Sequence, residues 1–246
     1  MPSPSLCFQI KGWAAWTPTR ETKADWLTWA TERPADAVDE PAPTPPPLLL
    51  RRRVSGLGQK ALRAAWGLPD VATARLVFAS RHGEFTRTLS IMDSLVGGTE
   101  VSPADFSLSV HHALAGLLSI ATDNRQGHTA IGAGPDSFFC GLLEAAACLA
   151  ETPDQPVVTV YYDEPLPTPF DRFGRPEDEP IAVAMTLAPR RDSQCLCLSP
   201  TAISTGTPAS VTPAQDFLGF LLGRARQTTI TGDRCAWHLE KTDAPH

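Results

Sequence analysis

The run Gly132-Ala133-Gly134-Pro135-Asp136-Ser137 joins an apolar stretch to a helical one. A strand-to-helix turn of this kind can cradle a phosphate or raise a nucleophile. Its spacing matches neither the P-loop nor the nucleophile elbow, and two glycines equally suit a tight turn capped by Asp136 or Ser137. Ser137 and Cys140 carry the hydroxyl and the thiol that could attack a carbonyl, with a base such as His112 of the His111-His112 pair. Ser80-Arg81-His82-Gly83-Glu84 follows a short apolar run, at the end of a strand where parallel sheets place functional loops. This makes Arg81, His82 and Glu84 loop candidates. Cys195, Cys197, Cys235 and His238 could be counted as zinc ligands, but strand alternation sends Cys235 and His238 to opposite faces. The Arg51-Arg52-Arg53 run reads as a solvated turn or as a contact for an acidic partner.

The elements that must position these groups follow from hydrophobic patterning. Strands are predicted over 6–16, 75–80, 129–133 and 157–162, and helices over 24–32, 56–67, 84–96, 110–121 and 137–151. Short apolar strands alternating with helices imply a parallel sheet covered on both faces. Residues 33–47 hold six prolines and three acids; they are expected to form an exposed crossing loop. Residues 137–150 of the last of these helices have one charge and no polar face, so burial on all sides is expected. Beyond residue 181 the pattern changes to antiparallel strands over 181–187 and 194–198, a helix over 213–225, and a hairpin turning at Gly232-Asp233.

The chain has 246 residues, 42% hydrophobic and 20% charged, with a formal charge of −6. That suits a globular domain with a real core and argues against a protein that coats nucleic acid. No apolar run reaches the ~18 residues of a membrane span, and residues 1–16 lack a basic leader, so the expected location is cytoplasmic. Cys140 and Cys148 are eight residues apart on one predicted helix, about 12 Å along its axis and beyond disulfide reach. With the other four in apolar runs, all six cysteines are expected as reduced thiols.

The segments FQIKGWAAWTP, ASRHGEFTRT, VSPADFSLSVHHALAGLLSIA, HTAIGAGPDSFFCGLLEAAACLAE and VTVYYDEPLP, taken in order, resemble the N-terminal half of the β-ketoacyl synthases. The likeness is to a short branch associated with aryl polyene clusters. It implies an α/β fold, a thiolase-like half with a mixed, mainly parallel sheet and a buried central helix, and antiparallel strands in the C-terminal tail. It also implies one domain over 1–246, with loop 33–47 and a divergent section 181–246. In the family the central helix lies between two sheets, and the strand before it pairs with its counterpart across a dimer. Carried over, that interface strand comprises His128, Thr129, Ala130, Ile131, Gly132 and Ala133.

Alignment on the helix places Pro135 at the family's nucleophilic cysteine and Ser137 at the motif's serine. Proline cannot carry an acyl group. The family's two catalytic histidines belong to a second half that this chain is too short to contain. The resemblance therefore implies a catalytically silent, chain-length-factor-like subunit without cofactor or metal. It would pair with a full-length β-ketoacyl synthase and meet acyl carrier protein only indirectly, with Phe138 and Phe139 lining an acyl tunnel. The alternatives are an acyltransferase or thioesterase using Cys140, or Ser137 with His112, and an acyl-carrier-protein adaptor.

Overall fold

The apolar runs become strands of a single sheet in the computed structural model, which describes residues 5–32, 45–190, 194–203 and 208–242. The strands are β1 (Leu6–Trp16), β2 (Arg75–Ala79), β3 (His128–Ile131), β4 (Val157–Asp163), β5 (Ile181–Pro189), β6 (Cys195–Ala202), β7 (Gln227–Thr231) and β8 (Cys235–Thr242). The helices are α1 (Lys23–Thr31), α2 (Leu48–Arg51), α3 (Gly56–Trp66), α4 (Phe85–Val96), α5 (Pro103–Leu108), α6 (Ala113–Ala121), α7 (Ser137–Glu151) and α8 (Pro213–Leu222). Most of the Pro-rich loop expected over 33–47 lies outside the described residues.

The sheet order is β3-β2-β4-β5-β1-β6-β8-β7. The parallel pairings are β2 with β3 and β2 with β4; the other five are antiparallel. The sheet is mixed, as expected, but its parallel part is confined to β3, β2 and β4, the strands linked by helices. The N-terminal strand β1 inserts between β5 and β6, which joins the tail to the βα body in one sheet.

Alternation along the strands sends side chains to two cores. Val77, Val157, Val183, Met185, Leu187 and Leu196 face α7, α8 and α1. Leu76, Phe78, Val158, Val160, Ala182 and Ala184 face α3 and α6. Each fully buried Val, Leu or Phe contributes roughly 1.5–3 kcal/mol. The central helix α7 lies on this one sheet, not between two. Its inner face is closed, whereas Cys140, Leu143 and Glu144 are half-buried and Ala147 and Ala150 exposed. Close packing on β2 depends on Gly141, where a Cβ would stand 2.6 Å from the Ala79 Cβ.

Two local expectations are corrected. The loop around Pro103 contains α5, capped by the Ser102 hydroxyl accepting from the Asp105 N–H with proline in the first turn; α6 then starts at Ala113. The cysteines are not all thiols: Cys7 and Cys197 stand directly opposite on β1 and β6 and form a disulfide. Sequence spacing could not foresee this pair, because strand register alone brings residues 190 apart together. Among the described residues no helix is long and apolar enough to cross a membrane.

Candidate functional site

The carboxyl ends of β2, β3 and β4 point the same way, and the segments leaving them meet the start of α8 around an open cleft of about 520 Å³. Arg81 comes from the segment after β2, Pro135 from the turn after β3, and Tyr161 and Asp163 from the end of β4. The long connection to β5 adds Arg175 and Asp178.

Arg81 organises the floor. Its two terminal nitrogens donate to the Asp178 carboxylate at 3.3 and 2.5 Å, and its Nε donates to His82 Nε2 at 2.6 Å. Asp163 Oδ2 lies 3.8 Å from the same Nε. Asp163 also accepts from the His82 backbone N–H and from the Tyr161 hydroxyl, each at 3.3 Å. The Arg175 N–H donates to Asp178 at 2.9 Å, which binds the connecting loop to the floor. Burial pushes Asp163 up to about 7, against the opposing pull of Arg81. Burial, then the Arg81 charge, pushes His82 down to about 4, leaving a neutral ring that accepts from the guanidinium. Burial holds the Tyr161 phenol far above its ordinary range, so it stays a donor. The floor thus combines a fixed cation, one firmly ionised carboxylate and one that exchanges a proton near neutrality.

Pro135 sits at the cleft in a short 3-10 turn, Gly134–Asp136, that leads into α7. The positive φ of Gly134, 59°, admits the chain to that turn. Next to it, the buried Asp136 carboxylate does not cap its own helix; it crosses to the β7–β8 turn and accepts from the N–H groups of Asp233 (2.9 Å) and Arg234 (2.8 Å). Ser137 is fully buried, its hydroxyl donating to the Gly134 carbonyl and accepting from the Ala133 N–H. A hydroxyl held on both sides by backbone is a brace of the turn.

The other candidates are dispersed. Cys140 is half-buried on the outer side of α7, and burial, with Asp136 nearby, pushes its thiol up. His112 is exposed at the start of α6, its ring 5.4 Å from that of His128, so the pair imagined for Ser137 and His112 is not assembled. Glu84 is buried and accepts from the Ser55 hydroxyl, apart from the cleft lining. Phe138 and Phe139 belong to the interior: Phe138 packs on Tyr161 and Phe217, and Phe139 stacks on Trp237 at 5.2 Å. Strand β3 is an edge, with Thr129, Ala130 and Ile131 half-buried and His128 and Gly132 exposed. Cys195 pairs with Thr242 and Cys235 with Ala202, at opposite ends of one ladder, which separates the zinc count.

Sequence reasoning missed Asp163 and Asp178, and read Asp136 as a helix cap where its carboxylate instead holds the β7–β8 turn. Asp163 had a signal, an acid closing an apolar parallel strand. Asp178, in the acidic run of residues 177–179, had none until topology brought it to Arg81.

This architecture belongs to the β-ketoacyl synthases: the family model for their N-terminal domain matches residues 26–240, and the chain is a member of that family with a thiolase-like fold. Within it, the chain is similar to one from the complex of the ketosynthase ApeO with its chain length factor ApeC from Xenorhabdus doucetiae, at 26% identity and TM-score 0.81. That match covers 96% of this chain and 99% of the other, so the two are nearly equal in length. A β-ketoacyl synthase from Burkholderia phymatum STM815 shares the fold at 13% identity and TM-score 0.55, over 91% of this chain and 71% of its own. The ishigamide ketosynthase/chain length factor does so at 15% and 0.55, over 74% and 62%. No curated protein matches.

Proposed function

We propose that this chain is a catalytically silent ketosynthase-like subunit that acts as a chain length factor does. It would pair with a complete β-ketoacyl synthase in a type II fatty acid or polyketide pathway, of the aryl polyene kind. The observation that carries the reading is Pro135 at the cleft, just before α7; the resemblance aligns it with the thiol that the family's covalent acyl transfer needs. The neighbouring hydroxyl of Ser137 is consumed by backbone, and the Cys140 thiol is made less acidic by burial.

In this reading the partner supplies nucleophile and histidines, and acyl carrier protein docks on the partner. The contribution of this chain is shape. The β3 edge, His128 through Ile131, has a neighbouring strand on one side only and would take strand addition across a dimer on the other, with Gly132 and Ala133 continuing the contact. Phe138 and Phe139, enclosed by their own chain, would hold the head of α7 from behind and so fix the wall that the partner's acyl chain meets.

The test is co-expression with a complete ketosynthase encoded nearby. The reading expects one complex with both subunits and a product length that changes when this chain is withheld. Separate elution with unaltered condensation would overturn it.

A further inference from the structure

The eight-stranded sheet narrows at one place. Strand β1 runs beside β5 from Phe8 to Trp16, and β6 runs beside β8 along its whole length, Cys195 to Ala202. Between β1 and β6 the register holds only three pairs: Leu6 with Leu198, Cys7 with Cys197 and Phe8 with Leu196. Beyond that seam lie β6, β8 and β7, the last three strands of the sheet. Parts of a fold tied by few contacts open first. The middle row of this short ladder is the Cys7–Cys197 disulfide.

The two sulfurs differ in access, for Cys7 is half-buried and Cys197 buried. An external thiolate therefore meets Cys7 Sγ first, forms a mixed disulfide with it and expels the Cys197 sulfur. The Thr242 hydroxyl, 3.8 Å from Cys197 Sγ, is a donor for that leaving thiolate. A second external thiolate attacks the outer sulfur of the mixed disulfide and frees Cys7. Two small thiols become one small disulfide, and the two protons they give up end on Cys7 and Cys197. The other four cysteines are thiols, and Cys140 and Cys235 among them are half-exposed. Such thiols persist in a reducing setting, where a disulfide is transient and redox-sensing rather than a fixed staple.

We infer that Cys7–Cys197 is a reversible redox latch on this seam, opened by small thiols in the folded protein, and that opening loosens β6, β8 and β7 from the body. The loosened strands carry the turn whose Asp233 and Arg234 N–H groups hold Asp136, which gives the latch a line to the head of α7. The inference stands apart from the subunit reading.

The test equilibrates the folded full chain, purified without reductant, with millimolar reduced glutathione, then alkylates it and measures its mass. The expected result is alkylation of Cys7 and Cys197 with native circular dichroism retained, reversed by glutathione disulfide. Hydrogen exchange in the Leu196–Leu198 segment and at Arg234 should then run at least about tenfold faster than in the oxidised chain, with β2 and β4 unchanged. Cys7→Ser with Cys197→Ser should exchange like the reduced chain whichever glutathione form is present, which separates the latch from the other four thiols. A bond that glutathione opens only after unfolding overturns the inference. So does exchange that rises equally throughout the sheet, or protection kept at either segment after reduction.

Discussion

Asp136 and Gly232 fit together as a carboxylate and the gap that admits it: a Cβ at position 232 would lie 1.9 Å from Asp136 Oδ1. The same carboxylate takes the N–H groups of Asp233 and Arg234, so the head of α7 is bolted to the last hairpin of the chain. Backbone donors beside the Gly134–Asp136 turn are therefore satisfied from within. Asp136→Ala removes the acceptor that both N–H groups share, and Gly232→Ala forces the carboxylate out. Each is expected to cost about 2–4 kcal/mol in urea unfolding, since hydrogen bonds to a charged group contribute about 1.5–3 kcal/mol each and are not additive.

Gly141 sets a second contact. Gly141→Val puts a branched side chain into Ala79 and should destabilise by about 1–3 kcal/mol, read as a lowered midpoint of unfolding. Ala147→Val on the outer side of the same helix, exposed in this structure, should stay within about 0.5 kcal/mol.

The charged floor gives a pH signature. Asp163, raised to about 7 from an ordinary 3.8, binds its proton more tightly when folded. Its contribution to stability is therefore greatest at acid pH and is lost as pH rises through about 7. His82, lowered from 6.5 to about 4, works the other way and removes stability as pH falls below 6.5. The two offset each other between about pH 4 and 6.5. Asp163→Asn removes one of them, so this variant should lose stability relative to wild type between pH 7 and pH 5, on the order of 1–3 kcal/mol in thermal melts. Equal pH profiles for the two proteins would contradict the geometry of the floor.

The disulfide is checked by counting thiols. Unfolded without reductant, the protein should titrate four thiols, and six after reduction. Closing a loop of 190 residues, Cys7–Cys197 should contribute about 2–4 kcal/mol, so Cys7→Ser with Cys197→Ser lowers the melting temperature.

What could be read from residues alone was local. Helix α7, the strands β1, β2 and β4, and the hairpin at Gly232-Asp233 follow from periodicity. The order of the sheet did not, because β1 enters between β5 and β6 through pairings with residues far along the chain. Nor did the site: Arg81 meets Asp178 across 97 residues and Asp136 meets Arg234 across 98. Neither pair leaves a periodic trace. The openness of α7 was hidden for a related reason, since an apolar helix reads as enclosed whether its own chain or another covers it.

The most direct measurement of the central claim is intact-mass analysis of the complex after exposure to an acyl thioester. The account predicts one acyl group on the ketosynthase and none on this chain, in the complex or alone. A stoichiometric acyl adduct on the native chain, mapped to Cys140 or Ser137, would contradict it.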